Sequence, residues 1–314
     1  MRVLQLDKNH PLIAEQLSAK GFKVDEDHAS SYNAVLNKIA DYQGIIIRSR
    51  IPLDREFLER AAHLKFIARV GAGMENIHVE TAQKLGITLI NSPEGNRDSV
   101  AEHVLGMLLI LMNRLFIASS EVKNGVWKRE ENRGDELFGK TFGLIGYGNM
   151  GKATAKRLSG FGCKVIFFDV LPDLSDRFAT QVSLETLQAE ADIISLHVPL
   201  TPETLHMVDK TFISDMKKDF YLVNTARGKN VKTADVVAAI KSGKIKGAAL
   251  DVLEFEKSSF ENLEAGSDQE ALDFLLNSEK VLVTPHIAGW THQSKEKLAQ
   301  IIVDKIVADF RPES

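Results

Sequence analysis

The stretch Phe142-Gly-Leu-Ile145-Gly146-Tyr-Gly148-Asn149-Met150-Gly151 decides how the rest of this chain is read. An apolar run ends in G-x-G-x-x-G, a helical pattern covers 150–161, a second apolar run covers 165–168, and Asp169 stands 18 residues after Gly151. Glycines alone cluster in many loops. A strand before them, a helix after them and an acid ending the next strand are the context of a dinucleotide-binding turn. Gly146 permits the tight turn, Gly148 lets backbone approach a pyrophosphate, Gly151 lets helix and strand pack closely, and the helix N-terminus offers N–H groups to phosphates. A carboxylate at Asp169 accepts hydrogen bonds from ribose hydroxyls and repels a 2′-phosphate, which predicts NAD rather than NADP as cofactor.

Outward from this turn, strand patterns continue at 192–197, 220–223, 247–251 and 280–283. Upstream, short runs at 3–6, 22–24, 44–48, 66–70 and 87–90 alternate with amphipathic stretches, and such alternation predicts βαβ units with parallel sheets. The last stretch, 291–310, spaces Leu298, Ile301, Ile302 and Ile306 as a helix that returns to the first domain. The fold class expected is α/β with two doubly wound parallel-sheet domains. A Rossmann NAD-binding domain, 96–289, is inserted into a flavodoxin-like substrate domain, 1–95 and 290–314. An apolar pattern over 98–122 predicts one long helix buried between domains or subunits. Junctions near 93–96 and 288–289 predict a hinge whose closure excludes water from the hydride path.

Composition narrows the function classes. At roughly 150 residues per domain, 314 residues suit two domains. Apolar residues at 44% and charged residues at 26% exclude a disordered or collagen-like chain. The longest apolar run, 104–112, is far short of the roughly 18 residues a membrane-spanning helix needs, and no basic-plus-apolar leader opens the chain, so no membrane partner is expected. The single cysteine, Cys163, supports neither a disulfide framework nor a Cys-based metal site and makes a reducing cytoplasm the default; no metal is expected. A net charge of −4 gives no electrostatic reason for a nucleic-acid partner.

Three ionisable residues lie at or beyond strand ends downstream of the glycine turn: Arg227, Glu256 and His286. Ligands of open α/β sheets bind at the carboxyl ends of strands, so these three are expected to converge beside the nicotinamide. Oxidising a hydroxyl needs a base for its proton while hydride leaves carbon, and imidazole suits that task near neutrality. Glu256 holds the imidazole and stabilises its cation, with Glu254 as the competing assignment. Arg227 offers a planar fork for a substrate carboxylate and the oxygen at the reacting carbon. Taken singly, such a histidine also serves as a cap or core residue and such an arginine as a surface ion pair.

Further motifs carry a family resemblance. They are Ile47-Arg48-Ser49-Arg50, Arg69-Val70-Gly71-Ala-Gly-Met-Glu-Asn76, Asn91-Ser-Pro-Glu-Gly-Asn96 with Ser99-Val-Ala-Glu102, the glycine turn, His197-Val-Pro199-Leu-Thr-Pro-Glu-Thr204, Asn224-Thr225-Ala226-Arg227-Gly228, Ala249-Leu-Asp251-Val and Pro285-His286. In that order they span nearly the whole chain, which resembles the D-isomer-specific 2-hydroxyacid dehydrogenases. The resemblance implies Arg227, Glu256 and His286 as the catalytic trio, and the amides of Val70 and Gly71 as a nest for the substrate carboxylate. Arg48, Ser49, Arg50 and Asn96 complete the implied substrate contacts. The implied cofactor contacts are Gly146, Gly148, Asn149, Met150, Gly151, Asp169, Pro199, Thr204, Thr225, Ala226, Asp251 and Gly289. Two departures stand out: Lys257 follows Glu256 where the family usually has proline, and Trp290 replaces a small residue.

The phosphoglycerate-oxidising members give the nearest match. Arg48 and Arg50 resemble their phosphate-facing loop, and Arg129 with Arg133 falls in their basic segment, although Glu130, Glu131 and Asp135 offer these two arginines ordinary ion pairs. The expectation is oxidation of 3-phosphoglycerate to 3-phosphohydroxypyruvate with NAD at the start of serine synthesis. The alternatives are a glyoxylate, hydroxypyruvate or other D-2-hydroxyacid dehydrogenase, and a non-enzymatic NAD-sensing protein. The resemblance further implies a homodimer through the long helix and no serine-binding regulatory domain. His103, Cys163 and His197 are read as structural.

Overall fold

The computed structural model describes residues 1–256, 263 and 268–310. It forms two compact units, Met1–Arg97 with Trp290–Ser314 and Asp98–Gly289.

The first unit alternates β1 (Arg2–Gln5), α1 (Leu12–Ala19), β2 (Lys23–Glu26), α2 (Tyr32–Leu36), β3 (Gly44–Ile47), α3 (Arg55–Arg60), β4 (Phe66–Arg69), α4 (Val79–Lys84) and β5 (Thr88–Asn91). Its strands pair in parallel in the order β2-β1-β3-β4-β5, the flavodoxin-like winding. Because side chains alternate faces along a strand, Ile45, Ile47 and Ile67 join one core while Ile46, Phe66 and Ala68 join the other. Helix starts carry acceptors for otherwise orphaned amides: Asp54 Oδ1 takes the Phe57 N–H at 2.9 Å. The C-terminal helix packs Ala299, Ile302, Val303 and Ile306 into the second of these cores.

The second unit follows a helix, α5 (Pro93–Met112), that begins in the first, then α6 (Leu115–Lys123), β6 (Thr141–Ile145), α7 (Asn149–Leu158), β7 (Lys164–Phe168), β8 (Thr180–Gln181) and α8 (Leu184–Glu190). It continues with β9 (Ile193–Leu196), α9 (Lys210–Asp215), β10 (Phe220–Asn224), α10 (Thr233–Ser242), β11 (Ile245–Leu250), α11 (Gln269–Asn277) and β12 (Val281–Val283). The chain then returns as α12 (His292–Asp309). The seven strands are parallel in the order β12-β11-β10-β9-β6-β7-β8, so the winding reverses between β6 and β9, where the glycine turn leaves the sheet. This is the Rossmann arrangement with its ligand crevice at the switch point.

The single helix expected over 98–122 is two. It starts earlier, at Pro93, and stops at Met112, because Arg114 adopts left-handed backbone (φ 53°) and its guanidinium reaches Asn132 and Glu279. α6 then leaves at a 59° bend, and none of its residues is buried. An apolar pattern records which residues avoid water, but a one-residue αL break leaves little trace in it. Among the described residues no single helix is long and apolar enough to cross a membrane.

Candidate active site

Three neighbouring strands of the second unit, β12, β11 and β10, run into His286, Glu256 and Arg227 beyond their carboxyl ends. His286 Nδ1 lies 2.8 Å from Glu256 Oε2, with both side chains mostly buried. The second oxygen of Glu256 accepts the Leu253 N–H at 2.6 Å, which fixes the carboxylate plane. Glu254, the competing partner, is engaged elsewhere. One of its oxygens meets His206 Nε2 at 2.6 Å, and the other accepts the Thr233 N–H at the start of α10. Lys257 lies outside the described residues.

His286 adopts left-handed backbone (φ 55°), a conformation that costs a non-glycine residue about 1–2 kcal/mol and persists only where neighbours impose it. Asp251 imposes it. Its carbonyl accepts the His286 N–H at 2.8 Å, Oδ1 accepts the Thr284 hydroxyl (2.6 Å) and the Ile287 N–H (2.8 Å), and Oδ2 accepts the Ala288 N–H (2.9 Å). Burial opposes ionisation of this carboxyl, but bonds from His103, Thr284, Ala288 and Ile287 outweigh it and hold Asp251 below the usual carboxylate range. His103 Nε2 also lies 3.1 Å from the Thr284 hydroxyl, so its place is in this support.

Arg227 is fixed by two fully buried asparagines. Asn230 Oδ1 accepts its N–H at 3.0 Å, while Asn224 Nδ2 donates to its carbonyl at 2.9 Å. The Arg227 guanidinium folds back to the Ala226 carbonyl at 2.6 Å. Gly228 must lack a side chain, since a Cβ there falls 1.9 Å from the Leu253 carbonyl oxygen; the Arg227 turn and the strand leading to Glu256 are therefore in backbone contact. Asn230 also donates to the carbonyls of Pro199 (3.4 Å) and Thr204 (3.1 Å), joining the Arg227 turn to the loop after β9. Within that loop Thr204 gives its hydroxyl to the Pro199 carbonyl at 2.6 Å.

At the glycine turn, Gly146 has positive φ (94°), which a side chain resists. A Cβ on Gly151 falls 2.3 Å from the Gly146 carbonyl oxygen, whereas a Cβ on Gly148 meets nothing within 4 Å, leaving open space over the amides of Asn149 and Met150 that begin α7. Asp169 stands just past β7 with Oδ2 accepting the Tyr147 N–H (2.7 Å) and Oδ1 the Leu171 N–H (3.0 Å). Thr225, just past β10, buries a hydroxyl that has no protein partner among the described residues. Open backbone at Gly148, an oriented carboxylate and an orphaned hydroxyl fit NAD. Ala226 and Gly289 sit in the Arg227 and His286 turns.

In the first unit, two of the expected substrate contacts have protein partners. The Arg50 guanidinium is engaged by backbone: Nε donates to the Leu6 carbonyl (2.6 Å), Nη1 to Ser30 (2.5 Å) and Nη2 to Asp27 (3.0 Å), because the loops after β1 and β2 leave carbonyls that only a forked donor reaches together. The amides of Val70 and Gly71 have protein acceptors as well. Val70 donates to the Ile47 carbonyl at 2.8 Å, and Gly71 to the Arg69 carbonyl at 2.9 Å and the Ser92 hydroxyl at 3.2 Å. Arg48 keeps its guanidinium 4.6 Å over the Trp290 ring, with its N–H on Asp7 Oδ2, and Ser49 lies half-buried beside it. Asn96 buries a side-chain oxygen without a protein partner among the described residues. Arg133 pairs with Glu130 at 2.5 Å in an exposed ion pair.

Several supports were not legible in advance: Asn230, the Asp251–Thr284–His103 group and the Glu254–His206 pair. Asn224 lay inside a quoted motif, but nothing in its spacing marked it as the brace of Arg227.

A glycine turn at the switch point, a carboxylate just past the next strand and a histidine–carboxylate pair one strand from an arginine define a dinucleotide-dependent dehydrogenase. The comparisons place it further. Residues 105–288 match the family model for the D-isomer specific 2-hydroxyacid dehydrogenase, NAD binding domain. The chain is 34% identical over 306 residues to hydroxypyruvate reductase of Thermotoga maritima, covering 96% of this chain and 97% of that one. It is also 34% identical to D-3-phosphoglycerate dehydrogenase of Archaeoglobus fulgidus, over 98% of this chain but 57% of that one. The crystal structure of D-lactate dehydrogenase from Aquifex aeolicus complexed with NAD and lactic acid superposes with a TM-score of 0.83 at 32% identity, covering 98% of this chain and 95% of that one. The chain belongs to the D-isomer-specific 2-hydroxyacid dehydrogenase family and is an NAD-dependent enzyme of that class.

Proposed function

We propose that this enzyme interconverts a short, unphosphorylated D-2-hydroxy acid and its 2-keto acid, with hydroxypyruvate or glyoxylate as the keto partner. The observation that carries the chemistry is the 2.8 Å His286–Glu256 pair beside the braced Arg227 turn. Bound NAD supplies the nicotinamide carbon that takes or gives hydride. His286 takes the hydroxyl proton on Nε2 in oxidation and returns it in reduction, while Nδ1 stays against Glu256, whose charge favours the imidazolium. Arg227 draws the carboxylate and the reacting oxygen toward its positive fork.

The substrate reading departs from the phosphorylated acid because all three donor nitrogens of Arg50 are engaged by backbone carbonyls, which takes from the loop after β3 one of the donor groups a phosphate dianion would use. Similarity to the hydroxypyruvate reductase along its full length agrees. One observation favours 3-phosphoglycerate as a second reading: the Arg48 guanidinium lies over an indole and is in no ion pair among the described residues. Steady-state reduction of glyoxylate, pyruvate, hydroxypyruvate and 3-phosphohydroxypyruvate with NADH decides. Highest kcat/KM on the phosphorylated acid reinstates that reading, and NADH binding without reduction of any acid points to a sensor. Exposed Leu115, Phe116 and Val122 on α6, with Trp127 beyond it, support a homodimer through this surface, which sedimentation equilibrium tests.

A further inference from the structure

Tyr147, between the first two glycines of the turn, has no task in the reading above. It is 1% exposed, and its ring stacks on Phe167 at 3.8 Å with planes 9° apart. Its N–H donates to Asp169 Oδ2 at 2.7 Å, and its hydroxyl donates to Asp176 Oδ1 at 2.9 Å. The same Asp176 oxygen accepts the amides of Phe178 (2.8 Å) and Ala179 (3.2 Å). Burial, then the bond to Asp176, pushes the Tyr147 phenol above its ordinary range, so it remains a donor at any physiological pH.

The loop between these two carboxylates, 170–175, carries exposed Val170 and Leu171. Gln181 ties its other side, donating to the Leu171 carbonyl at 2.7 Å and accepting the Leu174 N–H at 2.9 Å. One residue of the glycine turn therefore grips the loop at both ends, through its amide and through its hydroxyl.

We propose that Tyr147 is a positioning residue for coenzyme choice, fastening the loop 170–176 to the glycine turn so that Asp169 stays turned to the ribose. A 2′-phosphate adds close to two negative charges beside that carboxylate and is accommodated only if Asp169 withdraws. Asp169 is held by the amides of Tyr147 and Leu171, so it withdraws only if the loop moves. The Tyr147–Asp176 bond and the Gln181 bonds to Leu171 and Leu174 resist that movement together, and loss of the first weakens the hold at the end nearest the glycine turn. The proposal rests on Asp169 being the ribose acceptor.

The test uses the full chain and direct binding of NADH and NADPH by fluorescence titration, with Tyr147→Phe, Asp176→Ala, their double variant and Asp169→Ala. Tyr147→Phe keeps the ring, the stack and the amide. The expected result is a fall in the ratio Kd(NADPH)/Kd(NADH) of about twofold to tenfold in Tyr147→Phe, the range of one hydrogen bond, a fall at least as large in Asp176→Ala, which also frees the amides of Phe178 and Ala179, and no fall in the double variant beyond that of Asp176→Ala. General loss of stability moves both coenzymes together and leaves the ratio alone. A wild-type ratio in Tyr147→Phe and Asp176→Ala, while Asp169→Ala lowers it, overturns the role of Tyr147 and keeps the ribose assignment. A wild-type ratio and NADH affinity in Asp169→Ala overturns both.

Discussion

Replacing Glu256 with Gln removes one charge and, with the amide oxygen kept on the Leu253 N–H that Glu256 accepts at 2.6 Å, turns an NH2 donor toward His286 Nδ1, which moves the ring proton to Nε2 where the base must accept. What is lost is the carboxylate 2.8 Å from His286 Nδ1, in a pair whose side chains are 26% and 13% exposed. A Coulomb attraction at that distance and an effective dielectric near 20 is about 6 kcal/mol, an upper bound that desolvation erodes. Hydrogen bonds to charged groups net about 1.5–3 kcal/mol. The imidazolium forms as the hydroxyl proton arrives, so oxidation of the hydroxy acid should slow by at least about 10- to 150-fold in kcat, and further to the extent that the reversed tautomer blocks Nε2. Glu254→Gln is the paired control: it touches His206 and the Thr233 amide, so its cost falls on stability, with kcat within about threefold of wild type. The assay is NADH formation under saturating hydroxy acid, with thermal melts of each variant. Loss of kcat in Glu254→Gln equal to that in Glu256→Gln, or more than half of wild-type kcat in the latter, refutes the assignment.

Arg50→Met should lower the unfolding free energy by about 2–4 kcal/mol, since three carbonyls lose one shared donor group; denaturant titration reads this, and an unmoved midpoint with a raised KM returns Arg50 to the substrate. Asp251→Ala orphans the Thr284 hydroxyl and the Ile287 and Ala288 amides, with an expected stability loss of at least about 3 kcal/mol and a kcat loss because His286 leaves its turn; wild-type kcat in a folded variant contradicts this. Burial pushes His197 down to about 4, below its unfolded value near 6.5, so the unfolded chain binds the extra proton between these values and stability falls as pH drops from about 6.5 to 4. That loss is about 3 kcal/mol, and urea midpoints at pH 7 and pH 5 should converge in His197→Asn; an equal acid loss in that variant assigns the effect to another group.

Local chemistry carried much of what was legible in advance. Ile45, Ile46 and Ile47 read as a strand with both faces buried, and the structure divides them between two cores. The glycine turn was legible because Gly146 and Gly151 answer requirements of backbone geometry within a few residues of themselves, while Gly148 leaves open space beside them. What the patterns did not carry are partners that a side chain finds remote in sequence. Arg50 sits in a motif that resembles a phosphate loop, but the carbonyls it reaches belong to Leu6, Asp27 and Ser30. The break at Arg114 depends on Asn132 and Glu279, which no pattern in the helix announces.

By itself, the order of residues determined the alternation of strand and helix, the position of the dinucleotide turn, the acid that follows it and the three side chains offered for hydride chemistry. These follow from periodicity and backbone sterics, which act over short spans. Tertiary structure decided which carboxylate faces His286, what holds that histidine in left-handed backbone, and which arginines remain available. Those outcomes depend on strand order in the sheet, β12 beside β11 beside β10, and on hydrogen bonds that close only after distant segments have packed.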